Sequence, residues 1–163
     1  MALIDEQLVE EWLNRSNFFT IRGIKCGLGE IDLLAIRQQG DIKEFWHIEV
    51  QVSFRPVGYV GGDTNARLRK DEELKAGVDQ WIAKKFTGKD KVAKRNELMP
   101  DAVWKYIFVH GVVRDQRELD LMREAGVEVL PYKTVLKALR DSPNKTSSSI
   151  ASNIADILKY VAE

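Results

Sequence analysis

Apolar residues recur at Ile4, Leu8, Val9, Trp12 and Leu13, a helical spacing that predicts a helix over residues 3–14. Asn17 ends it. Residues 18–25 (FFTIRGIK), 30–37 (EIDLLAIR) and 43–53 (KEFWHIEVQVS) are rich in aromatic and β-branched residues and predict three strands. Gly27 and Gly29 mark the first turn and Gln38-Gln39-Gly40-Asp41 the second. Such short connections make an antiparallel meander. Residues 55–64 contain Pro56, Gly58, Gly61 and Gly62 and read as a long loop, with Asp63 or Thr64 as cap of the next helix. That helix carries the stripe Leu74, Val78, Trp81, Ile82 and Phe86. A polar, basic connector follows at 89–96. Residues 103–113 (VWKYIFVHGVV) predict a strand covered on both faces. Then come a short helix to Ala125 stopped by Gly126, a strand at 127–131 and a short helix at 133–140.

This order predicts an α/β fold, a mixed sheet flanked by helices. Residues 1–140 read as one domain and 141–149, with Ser142, Pro143 and Asn144, as a flexible linker. After it, Ile150, Ile154, Ile157, Leu158 and Val161 stripe an amphipathic helix over 150–163, read as a docking or homodimerisation element.

Composition narrows the function classes. The single Cys26 excludes a disulfide framework and a cysteine-based zinc site. No apolar run approaches the ~18 residues of a membrane span, and the acidic start MALIDEQLVEEW is unlike a signal peptide. The expectation is a cytoplasmic protein with no membrane partner. Nucleophilic catalysis lacks a Ser-His-Asp or Cys-His constellation. The glycines at 58, 61 and 62 do not form a phosphate-binding loop and read as a loop over a site's mouth.

The chemistry concentrates on two strands. Asp32 sits among Ile31, Leu33, Leu34, Ala35 and Ile36, where a lone carboxylate is costly to bury. It is balanced either by a salt bridge to Arg22 or Lys25 or by a cation shared with Glu49 on the next strand. Two carboxylates on adjacent strands can converge on one hard divalent ion. On the third strand, alternation puts Trp46, Ile48, Val50 and Val52 on one face and His47, Glu49, Gln51 and Ser53 on the other. Taken alone this reads as a core face and a water face, with His47 a hydrogen-bonded surface or sheet histidine. His110, in an apolar strand, reads as a satisfied core histidine.

The segments Glu30-Ile31-Asp32-Leu33-Leu34-Ala35 and Ile48-Glu49-Val50-Gln51-Val52-Ser53 resemble the core of the PD-(D/E)xK nuclease superfamily, with the small resolvase-like bacterial proteins nearest. The resemblance spans about residues 1–113 and implies a restriction-endonuclease-like αβββαβ core with extra C-terminal helices. It implies Asp32, Glu49 and the Val50 carbonyl as ligands of Mg²⁺ or Mn²⁺, and hydrolysis of phosphodiester bonds in nucleic acid, most readily DNA. Gln51 falls where most members carry a lysine, and glutamine can be neither cation nor base. In the resembled fold the start of the long helix lies near the metal, which makes Lys70, then Arg67, the replacement cation. Resolvase-like members place a carboxylate on the first helix, implying Glu11 ahead of Glu10. Arg67, Arg69 and Ser53 are the expected nucleic-acid contacts. The alternative is a nuclease-like domain without catalysis that binds nucleic acid or a protein.

A net charge of zero does not oppose this partner. Residues 65–95 hold ten cations and five anions, a local excess of +5 balanced by −5 elsewhere. Nucleic-acid affinity follows the local field.

Overall fold

The computed structural model describes residues 3–54, 59–60, 69–143 and 149–163. Helix α1 (Leu3–Arg15) leads into strands β1 (Phe19–Cys26), β2 (Gly29–Gln39) and β3 (Ile42–Gln51). Helix α2 (Asp71–Ile82) runs into a π-helical turn (Ala83–Thr87) and then α3 (Lys89–Leu98). Strand β4 (Trp104–His110), α4 (Gln116–Glu124), β5 (Val127–Pro131), α5 (Tyr132–Asp141) and α6 (Ile150–Ala162) complete the chain. The five strands form one sheet in chain order, antiparallel from β1 to β3 and parallel from β3 to β5. The expected α/β class and mixed sheet are therefore present.

Helices cover both faces. On one side Leu8, Val9 and Leu13 of α1, Val135 and Leu139 of α5, and Ala151 and Ala155 of α6 pack on Leu33, Ile48, Ile107 and Val109. On the other, Val78, Trp81 and Phe86 meet Phe108, Leu119, Met122 and Val127. The predicted two-sided burial of β4 holds, and the half-wet reading of β3 does not: His47, Ile48, Glu49 and Val50 are all buried. The outward charge pattern of β3 is roofed by the connection between α2 and β4.

That roof contains the main departure from the sequence reading. Residues 89–98 are a helix, not a connector. Its inward positions, four residues apart on one face, are Lys91 and Arg95, so apolar periodicity could not announce it. Before it the π-helical turn buries Phe86, and Gly88 follows, where a Cβ would lie 2.8 Å from the Ala83 carbonyl oxygen. Asp63 and Thr64 lie outside the described residues; the helix starts at Asp71 with Lys70 as its N-cap. Helix α6, read as a docking or homodimerisation element, packs on the domain through its small residues and Ile154 and leaves most of its large apolar residues outside. Its buried residues are Ala151, Ser152 and Ala155, while Ile150, Ile157 and Val161 are exposed.

Candidate active site at the β2–β3 carboxylates

Strands β1 and β2 distort together. The ladder pairs Arg22 with Leu33 and Ile24 with Ile31, leaving Gly23 opposite Asp32. Gly23 has φ of 67°, a left-handed conformation that a glycine tolerates and side chains resist. Leu33 and Ala35 join the core under α1, whereas Ile31 packs with Ile24, Cys26 and Leu34 in a separate cluster. Pairing of β2 with β3 runs from Gln39 as far as Leu33 opposite Ile48. One residue beyond, Asp32 Oδ2 accepts the Val50 backbone N–H at 2.8 Å. A carboxylate thus takes over a ladder hydrogen bond where the strands part.

Glu49 stands at the same end of β3 and is 1% exposed. Its Oε1 is 2.9 Å from His47 Nε2. His47 Nδ1 is 2.8 Å from Arg95 Nη1. Arginine only donates, so Nδ1 accepts and the ring proton sits on Nε2, which donates to Glu49. Arg95 also donates to the Phe86 carbonyl at 2.7 Å and to the Tyr106 hydroxyl at 3.0 Å. Glu49 Oε2 is enclosed and accepts no hydrogen bond among the described residues. Its neighbour is Lys85 Nζ, from the π-helical turn, at 3.4 Å.

Protonation follows from this burial. Desolvation, then the Glu49 charge, push Asp32 up to about 7, against the Val50 N–H and Lys85. Burial also raises Glu49, opposed by Lys85 and Lys91. Burial, then the charges of Arg95, Lys91 and Lys85, drive His47 down to about 2, so it is neutral. Glu6 of α1 rises to about 7, first through burial and then through Asp32 and Glu30. Two adjacent carboxylates that resist ionisation form a place where an added cation is favoured.

Above Asp32 opens a cleft of about 520 Å³ between the β1–β2 turn and the segment from Ala83 to Lys91. Lys84, Lys85, Lys89 and Lys91 line it together with the carboxylates Glu30, Asp32 and Asp90. Lys91 is itself buried and donates to the Glu30 carbonyl oxygen.

The predicted residues fall into three groups. Asp32, Glu49 and the Val50 backbone come together. Gln51, one strand position past Val50, is exposed, and Ser53 is half-buried with its carbonyl accepting the Val112 N–H at 2.6 Å. Others sit elsewhere. Lys70 is exposed at the N-cap of α2, and the cation brought to Glu49 is Lys85. Glu11 is buried and ion-paired with Arg15 at 2.8 Å, and Glu10 binds Thr20 and Arg22; the α1 carboxylate whose proton affinity responds to Asp32 is Glu6. Arg69 lies over the Tyr59 ring at 4.6 Å, and Arg67 lies outside the described residues. His47 is the hydrogen-bonded sheet histidine of the two alternatives, buried and not at the surface. His110 is buried with Nδ1 on the Gly111 carbonyl oxygen, but its Nε2 has no partner among the described residues, so it is only half satisfied.

Oxygen donors with raised proton affinity suit a hard divalent ion such as Mg²⁺ or Mn²⁺ in type and charge. Among the described residues no group of three or more His, Cys, Asp or Glu side chains is gathered to hold a metal. An ion here would rest on two carboxylates and complete its shell with water and backbone oxygen. Among the described residues no helix is long and apolar enough to cross a membrane. The chain matches no family model, no curated protein and no solved structure.

Proposed function

We propose that this protein is a divalent-metal-dependent nuclease that hydrolyses phosphodiester bonds of nucleic acid, DNA first, on a restriction-endonuclease-like core. One observation carries the reading: the buried pair Asp32 and Glu49 lies beside a cleft lined by four lysines. Phosphodiesters bring negative charge to that cleft, and lysines there offset it. Asp32 and Glu49 would hold Mg²⁺ or Mn²⁺, with the Val50 carbonyl as a further donor. Such an ion, when bound, neutralises charge on a phosphoryl oxygen and acidifies water.

The chain's own groups divide the remaining work. His47, fixed by Arg95, orients Glu49. Lys85 supplies the positive charge that Gln51 cannot, from the π-helical turn and not from the start of α2. Gln51, at the open end of β3, offers an amide donor and acceptor to a water or phosphate oxygen.

The test is nicking of supercoiled plasmid and cutting of labelled oligonucleotides with Mg²⁺, Mn²⁺ or chelator. Cleavage that needs the ion and disappears in Asp32→Ala and Glu49→Gln supports the reading. Equal activity in wild type and Asp32→Ala defeats it. The enclosure of Glu49 Oε2 against Lys85 favours a second reading, a binding domain without catalysis. That reading predicts retention of nucleic acid by the cleft with no cleavage under any ion.

A further inference from the structure

Leu28 is fully exposed, at 110% of its reference area, on the tip of the β1–β2 turn. It lines the same cleft as Lys84, Lys85, Lys89 and Asp32. Isolated exposed leucines are ordinary; the position of this one is not. Its neighbours are Gly27 and Gly29, so no other side chain shares the tip. The turn beneath is held firmly. A Cβ on Gly27 would fall 2.2 Å from Asp90 Oδ2, and Lys91 donates to the carbonyl oxygen of Glu30. The close approach to Asp90 and the hydrogen bond from Lys91 tie the turn to the start of α3. Leu28 projects from its tip at the lip of a cleft lined by four lysines and three carboxylates.

Each part has a counterpart in a nucleic-acid strand. Lysines on phosphates fix the position of a strand without reading it. An apolar side chain beside them can enter between bases and hold a step unstacked, at the expense of a few kcal/mol when the bases are paired. A single strand has already lost its pairing. The cleft, at about 520 Å³, is of the size that holds a small ligand, such as one unstacked base with its phosphate.

We propose that the cleft takes a single-stranded nucleic-acid segment, with Lys84, Lys85 and Lys89 on its phosphates and Leu28 wedged against an unstacked base. This rests on the nucleic-acid reading above for its ligand, and not on catalysis.

The experiment uses the full chain in chelator at low salt, so that no cutting occurs. Fluorescence anisotropy follows a 20-nucleotide single strand and the duplex of the same sequence, and 2-aminopurine in the strand reports unstacking. Wild type is expected to bind the single strand about tenfold more tightly than the duplex and to brighten 2-aminopurine. Leu28→Ala should lose about five- to tenfold of single-strand affinity, the scale of one leucine side chain no longer covered by a base, and the brightening, with duplex binding unchanged. Leu28→Phe should keep both. Leu28 is exposed, so folding does not intervene. The inference is overturned by equal affinities of wild type and Leu28→Ala for the single strand, by a preference for duplex, or by binding of neither probe. Leu28-dependent single-strand binding without cleavage in Mg²⁺ would defeat the nuclease reading and leave this one standing.

Discussion

Arg95 Nη1 lies 2.8 Å from His47 Nδ1 in a fully buried contact, and this one donor sets which nitrogen of the ring carries the proton. Arg95→Met removes that donor, strands His47 Nδ1 and the Phe86 carbonyl in the core, and takes a donor from the half-buried Tyr106 hydroxyl. Breaking such a buried polar network costs about 3 kcal/mol. Urea unfolding would measure it. Nitrogen chemical shifts of His47 should show a single Nε2–H tautomer in wild type and a mixture in the variant. A wild-type ring protonated on Nδ1 would remove His47 as the residue that orients Glu49.

The Asp32 carboxyl gives stability a pH dependence of definite sign. Its ordinary value of 3.8 rises to about 7 in the folded protein, first through burial and then through Glu49. Between these values the folded chain holds a proton that the unfolded chain has released. Stability contributed by this proton is present below about pH 4 and is lost as pH rises to about 7. Asp32→Asn keeps an acceptor for the Val50 N–H and has no charge to bury. In chelator at pH 8 it should be more stable than wild type by on the order of 4 kcal/mol, and the two should converge near pH 4. At pH 8, Mn²⁺ should raise the melting temperature of wild type but not of Asp32→Asn. A variant less stable than wild type at pH 8 would contradict the raised carboxyl.

Asp32 was legible because a carboxylate in an apolar strand is conspicuous. Alternation alone put Glu49 on a wet face, and only its place on the strand next to Asp32 and the resemblance singled it out. The cations serving them were not. Lys85 lies on a π-helical turn, and no period of 3.6 residues finds it; counting back along α2 led to Lys70 instead. Lys91 and Arg95 form the buried face of α3, so a search for apolar stripes sees only a polar run. On α1, Glu6 and Glu10 share a face and Glu11 stands a helical step away, a difference decided by how the helix sits on the sheet. The meander needed only strand propensity and short turns, which sequence displays directly. Where polar side chains do the packing, charge and burial point opposite ways and the pattern fails.

Lys85 is the cation paired with Glu49 Oε2, at 3.4 Å, and its removal should fall on rate more than on binding. Lys85→Met is expected to reduce any metal-dependent cleavage about 100-fold, the scale of losing one charge-stabilising donor, with single-strand affinity reduced only a few-fold. Lys70→Met, at an exposed cap, should cleave at nearly the wild-type rate. Gln51→Lys should preserve or raise cleavage by adding a cation at the open end of β3. Single-turnover kinetics at saturating protein separates these effects. Loss in Lys70→Met with retention in Lys85→Met would return the role to the start of α2.

The ends of β3 and β4 are locked by a close backbone approach. A Cβ on Gly111 would lie 2.3 Å from the Ser53 carbonyl oxygen and 2.9 Å from its nitrogen, and that same oxygen accepts the Val112 N–H. Backbone on both sides leaves no flexible side chain to give way. Gly111→Ala should therefore cost about 3 kcal/mol and shift the strand ends on which Gln51 sits. Gly40→Ala, strained by its φ of 60° but with open space around it, should cost about 1 kcal/mol. Thermal unfolding of both variants distinguishes a steric lock from simple loss of glycine freedom.

Helix α6 has two apolar aspects with opposite consequences. Its small residues Ala151 and Ala155 enter the core with α1 and α5, and Arg15 donates to Ser152 Oγ at 3.2 Å. Of its large ones, Ile154 packs on that core while Ile150, Ile157, Tyr160 and Val161 face outward. Ending the chain after Asp141 uncovers Val135 and Leu139 and removes the Ser152 contact, so stability should fall by about 2 kcal/mol. Ile157→Glu alters only the outer aspect and should leave stability within about 0.5 kcal/mol of wild type. If that aspect joins two copies, light scattering should give a dimer mass for wild type and a monomer mass for Ile157→Glu. A monomer mass for both proteins rejects self-association through α6 while leaving its packing role intact.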